Sequence, residues 1–494
     1  MDLERHSGPP ARLHCLDNLR YLLVLAVVAF HSTSAYVGAT YFVMDPHPHG
    51  LTRALNHFLS SFAMVVLFFV AGYFTLPSLR SKGVAGFLAG RFTRLGVPLV
   101  LGVLFLAPIS TYIAYAAQGF QGLESPGYWR FWLAYMRTIP AFPTARLGGD
   151  AFCASTQFHY HHFWFLALLL GLSVGFALVW GLYRRLRPTR AACGPSPAAG
   201  NPQAANAQAA LAVVICGGLS ALSGSVGQML AAIPGMRPLL NILGTSPWQL
   251  PSMALYFGLG IHAYRQRWFV DGTHPGSLAG WVAAWLLLQL AEPLGLRLSW
   301  EFMQDAVYIG LLASLSARFL DRTSRIHAAL AASSYPIYVV HFPIVVLVQF
   351  LLLGTGLPTP AKFLVTAVSG GLLSFLISHY LIRPFPRGAA AALLVLFAAM
   401  SLGLHPQPSA AVASPAPAPA EPRWRPRDHA EVARMRLRWY DEQLGLSEAQ
   451  EAALRPLIEA QVRAQMAAEQ QLRDTLESLL DAGQRARLRQ TQRW

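Results

Sequence analysis

Long apolar runs alternate along the chain with short polar connections that carry arginine. A helix needs about 20 mostly apolar residues to cross a bilayer. Eleven runs meet or approach that length: 20–38, 57–78, 95–117, 160–183, 208–232, 249–264, 277–294, 304–320, 334–353, 362–382 and 388–404. The sixth, eighth and eleventh are short. Apolar positions within the runs are continuous, whereas barrel strands alternate over segments of about 10 residues. The pattern therefore predicts an all-α polytopic membrane helical bundle and excludes a β-barrel.

Beyond residue 404 the pattern changes. Residues 405–427 are rich in Pro and Ala and read as an extended, semi-rigid linker. In 428–494, Leu444, Leu446, Leu454, Leu457 and Ile458 fall near an i, i+3, i+4 stripe, which Leu472, Leu476, Leu479 and Leu480 continue. Ser447 and Asp481 each precede a helical stretch, as N-caps do. This segment reads as a small soluble helical hairpin. The predicted order is a ten-helix core over 1–387, an eleventh helix over 388–404, the linker 405–427 and the hairpin domain 428–494. Two connections in the core stand out. Residues 191–209 read as a flexible linker, and 118–158 form a long loop whose Trp129, Trp132 and Tyr135 suit a membrane interface.

Composition agrees with the pattern. Hydrophobic residues make up 54% and charged residues 12%, against about 25% charged in soluble domains. That shortage excludes a conventional soluble protein, a disordered chain and a coiled-coil rod. The net charge of +15 would suggest nucleic acid in a soluble chain. Here it reads as topology, because basic residues stay beside the cytoplasmic ends of membrane helices. Alternate connections hold Arg80, Lys82, Arg91 and Arg94, then Arg184, Arg185, Arg187 and Arg190, then Arg265 and Arg267, then Arg318, Arg322 and Arg325, then Arg383 and Arg387. A cytoplasmic N-terminus places all of these inside, and the eleventh helix then exports the tail. Residues 1–14 lack a cleavable signal pattern, so the first run reads as a retained helix. The four cysteines form no CxxC pair and resemble neither a zinc site nor a disulfide framework.

Ionisable residues inside membrane segments are costly and face the bundle interior. Arg20 and His31 are eleven residues apart in the first run, about three turns on one face and about 16 Å along the axis. A neutral imidazole there can act as a general base; the alternative is a packing histidine bonded to a neighbouring helix. Arg91 and Arg94 share a helical face at i, i+3. They can clamp phosphates at the cytoplasmic surface or serve only as positive-inside anchors. His159, His161 and His162 invite a metal reading, but no acidic ligand adjoins them, and they read as an interfacial cluster.

Five stretches, in order over residues 13–387, resemble the membrane acyltransferase 3 family. They are Arg20-x10-His31, Phe68–Phe74 (FFVAGYF), Arg91-x-x-Arg94, His162–Leu166 (HFWFL) and Ser334–His341 (SYPIYVVH). Ala71 stands where the family's FF-x-x-SGYF run has Ser. The short second loop, RLGVP and the helix count look most like the glucan-modifying branch, typified by the glucan succinyltransferase. The tail is similar to LTxxQ-motif periplasmic stress proteins, with Ser447 and Asp481 where those carry Thr. It has no His/Cys cluster, so metal binding is not carried over.

The resemblance implies an O-acyltransferase of the bacterial inner membrane. An acyl group would pass from cytoplasmic acyl-CoA to a periplasmic or surface carbohydrate hydroxyl, with a glucan as one candidate. It implies catalytic roles for His31 and Arg20, acyl-CoA binding by Arg91 and Arg94, and substrate or oxyanion contacts from Trp164, Tyr338 or His341. Donor, carbohydrate acceptor and lipid bilayer are the expected partners, with an envelope protein as a candidate partner of the periplasmic tail. Neither a bound metal nor nucleic acid is expected. Two other classes stay open: a transporter or flippase, for which inverted repeats would speak, and a membrane-anchored envelope-stress binding protein.

Overall fold

The computed structural model describes residues 13–117, 127–142, 158–186, 202–233, 235–244, 249–270, 273–291, 300–388 and 447–479, with 391, 433 and 437. Every regular element among them is helical. The chain divides into two compact units, Met1–Leu404 and His405–Trp494.

In the first unit, α1 (His14–Thr33) is the predicted first membrane helix. The second run breaks near Phe62, giving α2 (Gly50–Ser60) and α3 (Ala63–Tyr73). Next come α4 (Thr75–Arg91), α5 (Val97–Leu101) and α6 (Ala107–Ala117), joined through π-helical turns at Phe92–Gly96 and Gly102–Leu106. Gly83 interrupts α4 at φ 68°, a left-handed conformation that glycine adopts without a Cβ clash. The others are α7 (Tyr128–Arg137), α8 (Trp164–Leu186), α9 (Pro202–Ala232), α10 (Met236–Ile242), α11 (Gln249–Arg265), α12 (Leu278–Ala291), α13 (Trp300–Phe319), α14 (Arg325–Leu352) and α15 (Thr359–Leu376).

Among the described residues, seven segments are long and apolar enough to cross a membrane: His14–Tyr36, Gly50–Tyr73, Thr75–Ala117, His161–Leu186, Gln203–Ser223, Arg325–Leu352 and Thr359–Ile382. The other three predicted core runs also fold as helices. α11 and α12 are short, at 17 and 14 residues, and α13 carries Glu301, Asp305 and Arg318. Leucines on α8, α9, α12 and α15, including Leu182, Leu222, Leu287 and Leu364, point outward and are exposed. An apolar outer surface of this extent suits lipid rather than water.

Buried residues of α1, α3, α8, α11 and α14 form one main core. α1 packs along α14 and α15, and α3 packs against α11. The α3–α11 crossing is set by reciprocal glycines. A Cβ at Gly72 would strike the Phe257 carbonyl, and one at Gly260 would strike the Phe69 carbonyl. Small residues allow membrane helices this close backbone approach.

Two expectations change. Pro202 opens α9 inside the predicted linker 191–209, because proline suits the first turn of a helix, where its missing N–H costs nothing. Tyr135 is fully buried rather than interfacial, since its hydroxyl finds internal partners, donating to the His159 carbonyl and accepting from the His159 amide. The eleventh helix, apart from 388 and 391, and the linker 405–427 lie outside the described residues.

The second unit contains α16 (Glu448–Leu479). Ser447 and Gln450 form a reciprocal capping box: the Ser447 amide donates to Gln450 Oε1 at 2.9 Å, and the Gln450 amide donates to Ser447 Oγ at 3.4 Å. Ile458 and Val462 of α16 are buried together with Ala433 and Leu437. The second cap, Asp481, lies outside the described residues.

Candidate active site

The last turn of α1 leaves carbonyls without intrahelical donors, as helix ends do. Side chains from two other helices add donors around that turn, beside the Ser34 amide that donates to the His31 carbonyl. Gln349 of α14 donates to the His31 carbonyl at 2.8 Å and to the Ser32 carbonyl at 3.3 Å. Asn56 of α2 donates to Thr33 Oγ1 at 2.9 Å and Ser34 Oγ at 3.1 Å. This capping fixes the turn that bears His31. His31 is half-buried, and its Nδ1 is hydrogen-bonded to the Tyr41 hydroxyl at 3.2 Å. Phe342 packs edge-on at 4.7 Å between ring centroids.

α14 brings a second histidine to the same place. The His341 ring centroid lies 5.4 Å from that of His31. His341 Nδ1 lies 2.7 Å from the Tyr338 carbonyl. A carbonyl only accepts, so Nδ1 carries the proton and Nε2 carries the lone pair. That Nε2 is buried and has no hydrogen-bond partner among the described residues. The neutral ring is thus an acceptor rather than a donor.

Proline placement delivers a third imidazole. Pro343 lies inside α14 and offers no N–H to the carbonyl four residues back. That carbonyl belongs to Val339, and His162 Nε2 donates to it at 3.2 Å. His162 Nδ1 is then a second buried lone pair with no partner among the described residues. The His162 and His341 centroids are 5.1 Å apart, and the Tyr338 hydroxyl donates to the His162 carbonyl.

The segment ahead of α8 is shaped to present His162. Phe163 lies against Gly102 in the second π turn, where a Cβ would collide with its ring. His161 sits at φ 49°, a left-handed conformation that costs a non-glycine residue about 1–3 kcal/mol. The twist sends neighbouring imidazoles apart. His161 Nε2 bonds with Thr111 Oγ1 at 2.9 Å and the Tyr135 hydroxyl at 3.2 Å, while His162 turns toward His341. Among the described residues, no group of three His, Cys, Asp or Glu is placed to hold a metal ion.

Arg20 lies eleven residues before His31 on α1. It pairs with Asp17 at 3.2 Å and donates to Ser334 Oγ at 3.3 Å and the Ala331 carbonyl at 3.2 Å. The Tyr335 hydroxyl donates to the Arg94 carbonyl at 2.5 Å. Ser334 and Tyr335 therefore touch both arginine stretches singled out in the sequence. Arg91 donates to Thr75 Oγ1 at 3.1 Å and lies 5.0 Å above the Phe87 ring, whereas Arg94 is exposed. Trp164 packs beside Phe68 and Phe165.

The stretch of chain that carries these residues matches a known family. The acyltransferase 3 profile, described as "Acyltransferase domain", matches residues 13–383. The chain belongs to this acyltransferase family. It is also similar to proteins named glucans biosynthesis protein C. With that of Shigella boydii serotype 4 (strain Sb227) it is 29% identical over 98 residues, 20% of this chain and 26% of the relative. The same identity and shares hold for the proteins of Escherichia coli O1:K1 / APEC and Escherichia coli O139:H28 (strain E24377A / ETEC). The chain thus matches 26% of the length of these curated relatives. No solved structure matches.

Within this acyltransferase the structure brings His31, His341 and Tyr338 into one cluster, and Arg20 and Arg94 against the first turns of α14. Sequence reading missed Tyr41 and Gln349. Gln349 follows His341 by eight residues and Val345 by four, a helical spacing that could have marked it. Tyr41 comes from an irregular connection, where no periodicity applies.

Proposed function

We propose that this acyltransferase transfers an acyl group from acyl-CoA to a carbohydrate hydroxyl, with a glucan as the acceptor class. The reading rests on one observation. His31 is half-buried, its Nδ1 is engaged by Tyr41, and it adjoins two buried imidazole lone pairs in the last turn of α1. Arg94 and Arg91, at the far end of α1 with Arg20, hold the anionic nucleotide of coenzyme A. The pantetheine arm runs along α1 and α14 toward His31. His31 Nε2 takes the proton of the acceptor hydroxyl as its oxygen attacks the thioester carbonyl. The C–O bond forms, the C–S bond breaks, and the thiolate of coenzyme A receives the proton from His31. Positive charge that develops on the ring meets the carbonyl end of α1, where helices tolerate it best.

The glucan acceptor is supported by the name of the partial relatives, and the orientation by the arginine-bearing connections. On this reading the chain is a multi-pass protein of the bacterial inner membrane. Its N-terminus is cytoplasmic and its C-terminal unit periplasmic.

The test uses purified protein in lipid nanodiscs with succinyl-CoA or acetyl-CoA and a glucan oligosaccharide, with products read by mass spectrometry. Loss of a positioned general base costs about 10²–10⁴-fold. His31→Ala should therefore lower turnover by at least about 100-fold while inserting normally. Wild-type turnover by a well-folded His31→Ala protein would remove His31 from the chemistry.

A further inference from the structure

Asp45 and Lys362 form a buried ion pair, with Nζ 2.6 Å from Oδ2 and side chains 1% and 5% exposed. Lys362 stands in the first turn of α15, where the helix dipole disfavours a cation. Taking two charges out of water is costly, and a buried pair adds little net stability over an apolar one. Two electrostatic costs at one place point to a positional role.

The geometry shows what is positioned. Residues 34–49 connect α1 to α2, and their far end is tied down from several sides. The Asp45 amide donates to the Ala35 carbonyl at 2.9 Å. The His47 amide donates to Asp45 Oδ1 at 3.0 Å. Thr359, at the start of α15, donates to the His47 carbonyl at 2.8 Å. Four residues before Asp45, the same connection lays Tyr41 on His31 Nδ1 and Phe42 against Phe342 and His161.

We propose that the Asp45–Lys362 pair is the positioning device for the His31 imidazole: it clamps the connection to α15 so that Tyr41 holds Nδ1 and leaves Nε2 to the substrate. Asp45 and Lys362 act through Tyr41 and touch no reactant. The inference rests on the role of His31 proposed above, and its test separates the two.

A double-mutant cycle decides it. In nanodiscs with succinyl-CoA or acetyl-CoA and a glucan oligosaccharide, Tyr41→Phe and Asp45→Asn should each lower kcat about tenfold, and the double variant should fall no further, because coupled residues are non-additive. The KM for the donor should stay within about twofold, since the pair acts on the proton transfer alone. A second readout needs no turnover. Diethyl pyrocarbonate should modify His31 severalfold faster in Asp45→Asn and in Tyr41→Phe, and equally fast in the double variant. If Asp45→Asn does not accumulate, Thr359→Val, which cuts the neighbouring tie to His47, takes its place in the cycle. Additive losses, or unchanged His31 reactivity in the variants, would overturn the clamp. An active His31→Ala protein would instead overturn the mechanism while leaving the reactivity result standing.

Discussion

Arg91 and Arg94 show how much a single residue's surroundings can differ from what spacing suggests. On an α-helix, i and i+3 share a face. Here the backbone enters a π turn at Phe92, whose i→i+5 bonds widen the helix. Arg91 is drawn to Thr75 and the Phe87 ring, and Arg94 stays exposed. A charge-assisted hydrogen bond is worth about 1.5–3 kcal/mol. Arg94→Ala should accordingly weaken coenzyme A binding at least about tenfold, and Arg91→Ala should weaken it less while lowering thermal stability. Calorimetry with coenzyme A in detergent checks the order; the larger loss at Arg91 would reverse the two assignments.

At the scale of elements, α14 draws His162 to the site because its ladder is interrupted. Pro343→Ala would supply an N–H to the Val339 carbonyl and compete with His162 for it. The expected result is a protein no less stable to heat, with kcat lowered about tenfold, since misplacing a group by even an ångström is costly in catalysis. A stable variant with unchanged kcat would detach His162 from the reaction. The same helix shows what the sequence makes legible. Its apolar run, the Ser334–His341 motif and both prolines are local features, so the helix and its histidine can be read from the chain. The tautomer of His341 depends on a carbonyl within the folded helix. The bond from Gln349 to α1 spans 318 positions, and the Asp45–Lys362 pair spans 317. Lys362 carries no such signal in the sequence, because its partner Asp45 is visible only after α15 has packed on α1. Tyr135 misleads for the converse reason: an amphipathic ring suits a membrane interface or a buried hydrogen bond equally well, and its neighbours decide.

At the scale of the whole molecule, the proposed orientation, which takes 388–404 as a membrane helix, would send residues 421–494 to the periplasm. These residues hold 13 basic and 12 acidic side chains, without the basic excess of a membrane-surface segment. A phosphatase fused after Trp494 should be active and a cytoplasmic fluorescent protein fused there dark; the reverse pattern would remove the eleventh crossing. Deletion of 421–494 should leave acyl transfer measurable, because every residue assigned to the chemistry precedes it. The crossing of α3 and α11 carries a consequence for descent. Gly72 and Gly260 each face the other helix's backbone, which no mutation can trim. A larger residue at one position therefore has no second-site remedy at the other, and any sequence change that keeps this crossing must leave both glycines in place.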